Sequence, residues 1–136
     1  MIRKGKIRKL DPTSSRNYFG KSQEFADSMR NNLLAGKWDA AGLNAVHTVI
    51  SAADAILAAY GGIRSAEQDH RSAVRLLEEV LGKAVGPARR HISFVIAKKN
   101  TIEYEQRRLT KKEALAIAEH AERFLRFASE MLGKIK

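Results

Sequence analysis

The sequence predicts an all-α fold, an up-and-down bundle of about five helices behind a basic N-terminal arm. Apolar residues recur at alternating spacings of three and four along most of the chain, no stretch alternates with period two, and start and stop signals separate the periodic runs. The 136 residues suffice for one core, since a domain of this size hides well over half of its unfolded surface, and leave no room for a second. The expected division is an arm over residues 1–12 and a bundle domain over residues 13–136.

The arm is polar, basic and without helical period, so it reads as extended. Asp11-Pro12-Thr13-Ser14-Ser15 then offers oxygens for the free amides of a first helix, which runs to about Ala35 with Tyr18, Phe25, Met29 and Leu33 on one side. Gly36 stops it. Asp39 is the expected cap of helix two, whose seam is Leu43, Val46, Ile50, Ala53, Leu57 and Tyr60. Alanines at 41, 45, 52, 55, 58 and 59 fill much of its remaining surface, as suits a central helix that neighbours approach closely.

Gly61-Gly62 ends helix two, and Ile63 and Arg64 form the connection. Helix three starts between Ser65 and Asp69, with Ser65 and Gln68 as a capping box or Asp69 as the cap, and buries Ala73, Val74, Leu77, Val80 and Leu81. After Gly82, Gly86-Pro87 opens helix four, where a proline in the first turn does no harm. Ile92, Val95, Ile96 and Ile102 are its inner side, weakening from Asn100 to Tyr104. Thr110 and Glu113 form a capping box for helix five, which turns Leu115, Ala118, Ala121, Phe124, Leu125, Ala128 and Met131 inward and runs to Leu132.

The formal net charge is +10, from 25 Lys and Arg against 15 Asp and Glu, which favours a polyanionic partner, nucleic acid foremost. The excess is uneven. Arg3, Lys4, Lys6, Arg8 and Lys9 occupy a first decade without an acid, and a second basic region spans Lys83 to Lys112. Cysteine is absent, which excludes disulfides, thiolate metal sites and cysteine nucleophiles. No phosphate-binding glycine loop, dinucleotide fingerprint, serine elbow or His-x-x-x-His pair occurs, and neither a metal nor a cofactor is expected. With no apolar run of the roughly 20 residues that a membrane span needs, and a charged N-terminus, a cytoplasmic protein without membrane contact is expected.

Two constellations stand out. On helix two, Asn44, His47, Ser51 and Asp54 share one face by the same three-and-four spacing, so this polar stripe meets a site, a partner or an internal network. Beyond it, Arg64 and His70 stand with five residues between them across a helix start. A guanidinium clamps phosphate oxygens in two-toothed fashion, free helix-start amides attract the same anion, and an imidazole of ordinary pKa about 6.5 moves a proton near neutral pH. Asp54 is placed to orient one of the two. Asp69 and Arg71 flank the histidine and join Asn44 and His47 as candidate substrate contacts. His91 and His120 show no convincing local partner and read as structural.

Several segments then align with a known pattern: Leu10-Asp11-Pro12 before helix one, Leu34-Ala35-Gly36-Lys37-Trp38-Asp39-Ala40-Ala41, Asn44-Ala45-Val46-His47 through Ser51-Ala52-Ala53-Asp54-Ala55, Arg64-Ser65, and Gln68-Asp69-His70. Lys99-Asn100, Tyr104-Glu105 and Ala121-Glu122-Arg123-Phe124 continue it. In this order and spacing, the run from Leu10 to Leu132 resembles a HEPN domain, the bundle family named for higher eukaryotes and prokaryotes and linked to nucleotides and RNA. The resemblance implies that Arg64 and His70 match the family's arginine-to-histidine hallmark. In active members that pair cleaves RNA through its 2′-hydroxyl without metal, with two sites meeting across a homodimer. Asp54 falls where the family often carries a supporting polar residue. Two positions depart: Ser65 stands where ribonuclease members often have a larger polar group, and Ser72 where the toxin branch paired with nucleotidyltransferase antitoxins has a tyrosine.

The expectation is therefore an RNA-binding protein that cleaves RNA with Arg64, His70 and Asp54, as a toxin or in defence. The alternative is a non-catalytic module that holds a nucleotide or docks an acidic partner such as an antitoxin.

Overall fold

The computed structural model describes residues 7–65 and 71–135, with the backbone alone at positions 8 and 71. Helices dominate: α1 (Ser15–Leu34), α2 (Trp38–Gly61), α3 (Arg71–Leu81), α4 (Ala88–Ala97), the short α5 (Lys99–Tyr104) and α6 (Lys111–Gly133). This is the expected all-α bundle, five substantial helices and one turn-and-a-half fragment. α2 is its axis, with α1 along one side and α6 along another, while α3, α4 and α5 complete the ring.

The alanines explain why α2 can be central. Ala41, Ala45, Ala52, Ala53, Ala55 and Ala58 are fully buried, and their small side chains let neighbouring backbones come near. Between them, Val46, Val49, Ile56 and Leu57 meet Met29 of α1, Leu76 and Leu77 of α3, Ile92 and Val95 of α4, and Ile117, Ala121 and Phe124 of α6 in one continuous core. By length and a mean hydropathy of 1.3, α2 could cross a membrane, a property the reading by apolar runs passed over. However, 78% of that window is buried inside the bundle, as befits a core helix. The chain reverses after α2 at Gly62, whose φ of +63° is left-handed and favours glycine.

Four expectations are corrected. Asp39 lies inside the first turn of α2 rather than capping it; its carboxylate accepts from Leu109 N at 2.8 Å and from Arg108 Nε at 3.0 Å, pinning the loop before α6. The chain beyond α4 does not merely weaken but restarts as α5 after Lys98. Leu115 is 46% exposed, because α6 turns Ala114 and Ile117 to the core instead. Residues Ile63–Ser65 are also more than a connection. They form a strand, β2, paired antiparallel with β1 (Ile7–Lys9) in the register Ile7 to Ser65, Arg8 to Arg64 and Lys9 to Ile63. Strands of three residues are too short to display alternation, so no period-two signal announced them.

Polar ties hold the periphery. Thr110 accepts from Glu113 N at 3.1 Å while the Glu113 carboxylate accepts from Thr110 N at 2.9 Å, the capping box expected for the last helix. Arg30 grips Glu122 with two hydrogen bonds of 2.7 and 2.6 Å, tying α1 to α6. Tyr60, 36% exposed at the end of the α2 seam, donates to the Met131 carbonyl at 2.6 Å.

Candidate functional site

The polar stripe of α2 faces α1 and divides along its length. Near the start of α2, Asn44 Nδ2 donates to Asn32 Oδ1 at 2.7 Å, and the His47 ring lies 5.0 Å from that of Phe25. Both residues are thus engaged in the α1–α2 seam. At the rise of an α-helix they sit about 15 and about 10 Å before Asp54 along the axis, so the structure does not bring them to Arg64. Ser51 and Asp54, 8% and 6% exposed, continue the stripe into the buried end of the seam.

Asp54 and Arg64 do meet. The β1–β2 pairing holds Arg64 beyond the turn at Gly62, and one terminal nitrogen, Nη2, stands 3.6 Å from Asp54 Oδ2. That separation is an ion pair rather than a hydrogen bond. The other, Nη1, donates to the Tyr18 hydroxyl at 3.2 Å, and the guanidinium carbon lies 5.5 Å from the centre of the Tyr18 ring. Lys21 Nζ is 5.8 Å from the same ring. Arg64 Nε is buried and has no partner among the described residues. Burial pushes the Asp54 carboxyl up to about 6, against the downward pull of Arg64 and Lys21. Beside this cluster, Ser14, Arg16, Asn17, Tyr18, Lys21 and Glu24 line an open polar hollow of about 590 Å³. A separate, more apolar hollow of about 570 Å³, with Phe19, Ala59, Leu132 and Ile135 in its walls, contains none of the stripe.

Asp69 and His70 lie outside the described residues, as does the expected Ser65–Gln68 box. The backbone of Arg71 opens α3. The ends of this connection are fastened together: the Ser65 and Ser72 hydroxyls, both buried, hydrogen-bond to each other. Ser72, noted in the sequence for the tyrosine it lacks, therefore ties β2 to the first turn of α3.

The sequence reading missed a second cluster. His91 of α4 and His120 of α6 are partners, Nδ1 to Nδ1 at 2.8 Å, with the Phe94 ring 4.1 Å from His120 and Lys98 Nζ 5.3 Å from Phe94. Burial lowers both imidazole pKa values, and Arg90 and Arg123 lower them further while Glu119 opposes. His91 also feels His120 directly. The two residues are 29 apart in sequence. Only the helical phases could have hinted at the contact, since each histidine falls on the inward edge of its helix.

Fold and site together define a helical bundle domain in which a guanidinium–carboxylate pair closes one end of the central seam, beside a basic hollow. The chain belongs to the HEPN domain family, whose pattern matches residues 15–132. At the family level it is a module of the nucleotide-binding, ribonuclease-like class. No curated protein matches the chain.

Proposed function

We propose that this HEPN protein is a cytoplasmic homodimer that binds single-stranded RNA and cleaves it without metal. The observation that carries the reading is the setting of Arg64: a part-exposed guanidinium held by Tyr18 on one side and at ion-pair distance by Asp54 on another, six positions before a histidine. The terminal guanidinium donors that carry no hydrogen bond among the described residues suit the oxygens of a phosphodiester, for which arginine is well shaped. His70 takes the proton of the ribose 2′-hydroxyl, the freed oxygen attacks phosphorus, and Arg64 stabilises the added negative charge of the phosphorane. The bond to the 5′ oxygen then breaks, and that oxygen receives a proton from His70 of the partner subunit, leaving a cyclic phosphate and a 5′-hydroxyl. Asp54 orients Arg64. Asp69 and Arg71 contact the substrate beside His70, whereas Asn44 and His47, taken up in the α1–α2 seam, stand apart from it. Such an activity suits a toxin or defence nuclease restrained by an acidic partner.

The test is turnover of single-stranded RNA in the presence of a chelator. His70→Ala and Arg64→Ala should each lower the rate by about a hundredfold or more, the usual scale for a proton-moving group. Equal rates in wild type and His70→Ala, or no cleavage by wild type across a broad RNA panel, would overturn the ribonuclease assignment. RNA binding that needs Arg64 but never leads to cleavage would make the protein a binding module.

A further inference from the structure

The part-exposed Tyr18 ring of α1 has two cations near it. Arg64 brings its guanidinium carbon to 5.5 Å from the ring centre and donates from Nη1 to the phenol oxygen at 3.2 Å. Lys21, one turn further along α1, holds its Nζ over the same ring at 5.8 Å. The two contacts differ in firmness. A hydrogen bond anchors the phenol to Arg64, whereas Lys21 is a long, exposed side chain near the limit of a cation–π contact, about 6 Å, and its ammonium leaves the ring at little cost. Burial raises the Asp54 carboxyl while Arg64 and Lys21 both oppose that rise, so the lysine's charge also reaches the buried end of the seam. By three-and-four spacing, Asn17, Tyr18, Lys21 and Glu24 share one face of α1, and they line the open polar hollow of about 590 Å³. An aromatic ring beside cations is what holds an unpaired nucleotide: the base stacks on the ring while the cations take the backbone.

We propose that Tyr18 and Lys21 form a subsite for the nucleotide adjoining the phosphate at Arg64. The base displaces the Lys21 ammonium from the ring and stacks there, and the lysine takes up the next phosphate of the strand. The strand thus runs over the hollow along α1, and not along the α1–α2 seam that takes up Asn44 and His47. The proposal rests on the reading of Arg64 as a phosphate ligand. It also gives that site a reason to select single strands, because a base within a duplex already has its faces covered by its neighbours.

The experiment measures binding of an end-labelled single-stranded RNA across a salt series, in a His70→Ala background so that the RNA stays intact. Tyr18→Leu should weaken binding by about tenfold, the scale of one lost base stack, without changing the slope of log affinity against log salt. Tyr18→Phe, which keeps the ring, should bind close to the parent. Lys21→Gln should flatten the slope by about 0.7, the loss of one phosphate contact to a single strand. Lys112→Gln removes an exposed cation at the start of α6, near the start of α2, and should leave the slope almost unchanged. On a strand stripped of its bases, Tyr18→Leu should bind as the parent does, which separates a lost stack from a disturbed fold. Equal weakening in Tyr18→Phe and Tyr18→Leu would limit Tyr18 to holding Arg64 and overturn the proposal. A Tyr18→Leu loss undiminished on the abasic strand would overturn it too, as would a slope for Lys21→Gln no flatter than for Lys112→Gln. If Arg64→Ala binds as tightly as its parent, the underlying reading falls; if Arg64→Ala weakens binding while Tyr18→Leu and Lys21→Gln do not, the subsite alone falls.

Discussion

Asp54 is a carboxylate that the fold makes reluctant to ionise. Its pKa stands at about 6 against an ordinary 3.8, with burial as the main cause. A folded-state value raised in this way means that the folded protein holds its proton more tightly than the unfolded chain does. The resulting stability is complete below about pH 3.8 and is lost as the pH rises through about 6. Asp54→Asn lacks this titration. Between about pH 4 and pH 8 the stability of wild type relative to Asp54→Asn should therefore fall by up to about 3 kcal/mol, measured by urea unfolding of both proteins at each pH. The other titrating groups are common to both and cancel in the difference. Parallel stability curves would refute the account. An ionised, buried Asp54 is thus a cost at neutral pH, of the sort structures carry where a charge has a task, here the placement of Arg64. The stripe that includes Asp54 was legible in the sequence because three-and-four spacing is simple geometry. What each member touches was not, because that depends on which helix lies opposite and how far along.

Between elements, the seam of α4 and α6 carries the opposite pH response. The Nδ1–Nδ1 contact of His91 and His120 needs one nitrogen to donate and the other to accept, so two protonated rings cannot keep it. Arg90 on α4 and Arg123 on α6 oppose protonation, Glu119 on α6 favours it, and Lys98 lies beyond Phe94. With folded values below the ordinary 6.5, the pair's contribution is whole above about pH 6.5 and is lost as the pH falls through the lowered values. Wild type should therefore lose stability on acidification below about pH 6.5 relative to a His91→Phe, His120→Leu double variant, followed in the same unfolding experiment. Identical acid profiles would show that the contact contributes nothing. The extents of α1, α2 and α6 were readable from periodicity and stop signals, with boundaries within about two residues of the expected ones, α2 starting before its expected cap Asp39. The ribbon and this histidine contact were not, because each joins residues distant in sequence with no local pattern to mark the pairing.

For the molecule as a whole, the fold class could be read from three-and-four periodicity between start and stop signals, and the family from the resemblance that a series of soft motifs carries in its order and spacing. The assembly is a different matter, because a monomer's sequence pattern records burial but not whether a neighbour or a second copy provides it. The proposed dimer would bring two Arg64–His70 sites together, and sedimentation should give twice the chain mass of 15.2 kDa. A monomer that still cleaves RNA would require a proton donor from within one chain. Charge also belongs to this scale: with a net +10, some salt-sensitive attraction to any polyanion is expected, so site assignments rest on differences between variants rather than on binding itself.

The sole tryptophan, Trp38, opens α2 at the end remote from Arg64, roughly 24 Å from the level of Asp54 by the rise of that helix. Its emission therefore follows denaturation of the corner between α1 and α2 while remaining insensitive to occupancy at the far end. An optical reporter of ligand arrival has to be sought in Tyr18, whose ring already lies against the guanidinium, or in a tryptophan engineered beside it.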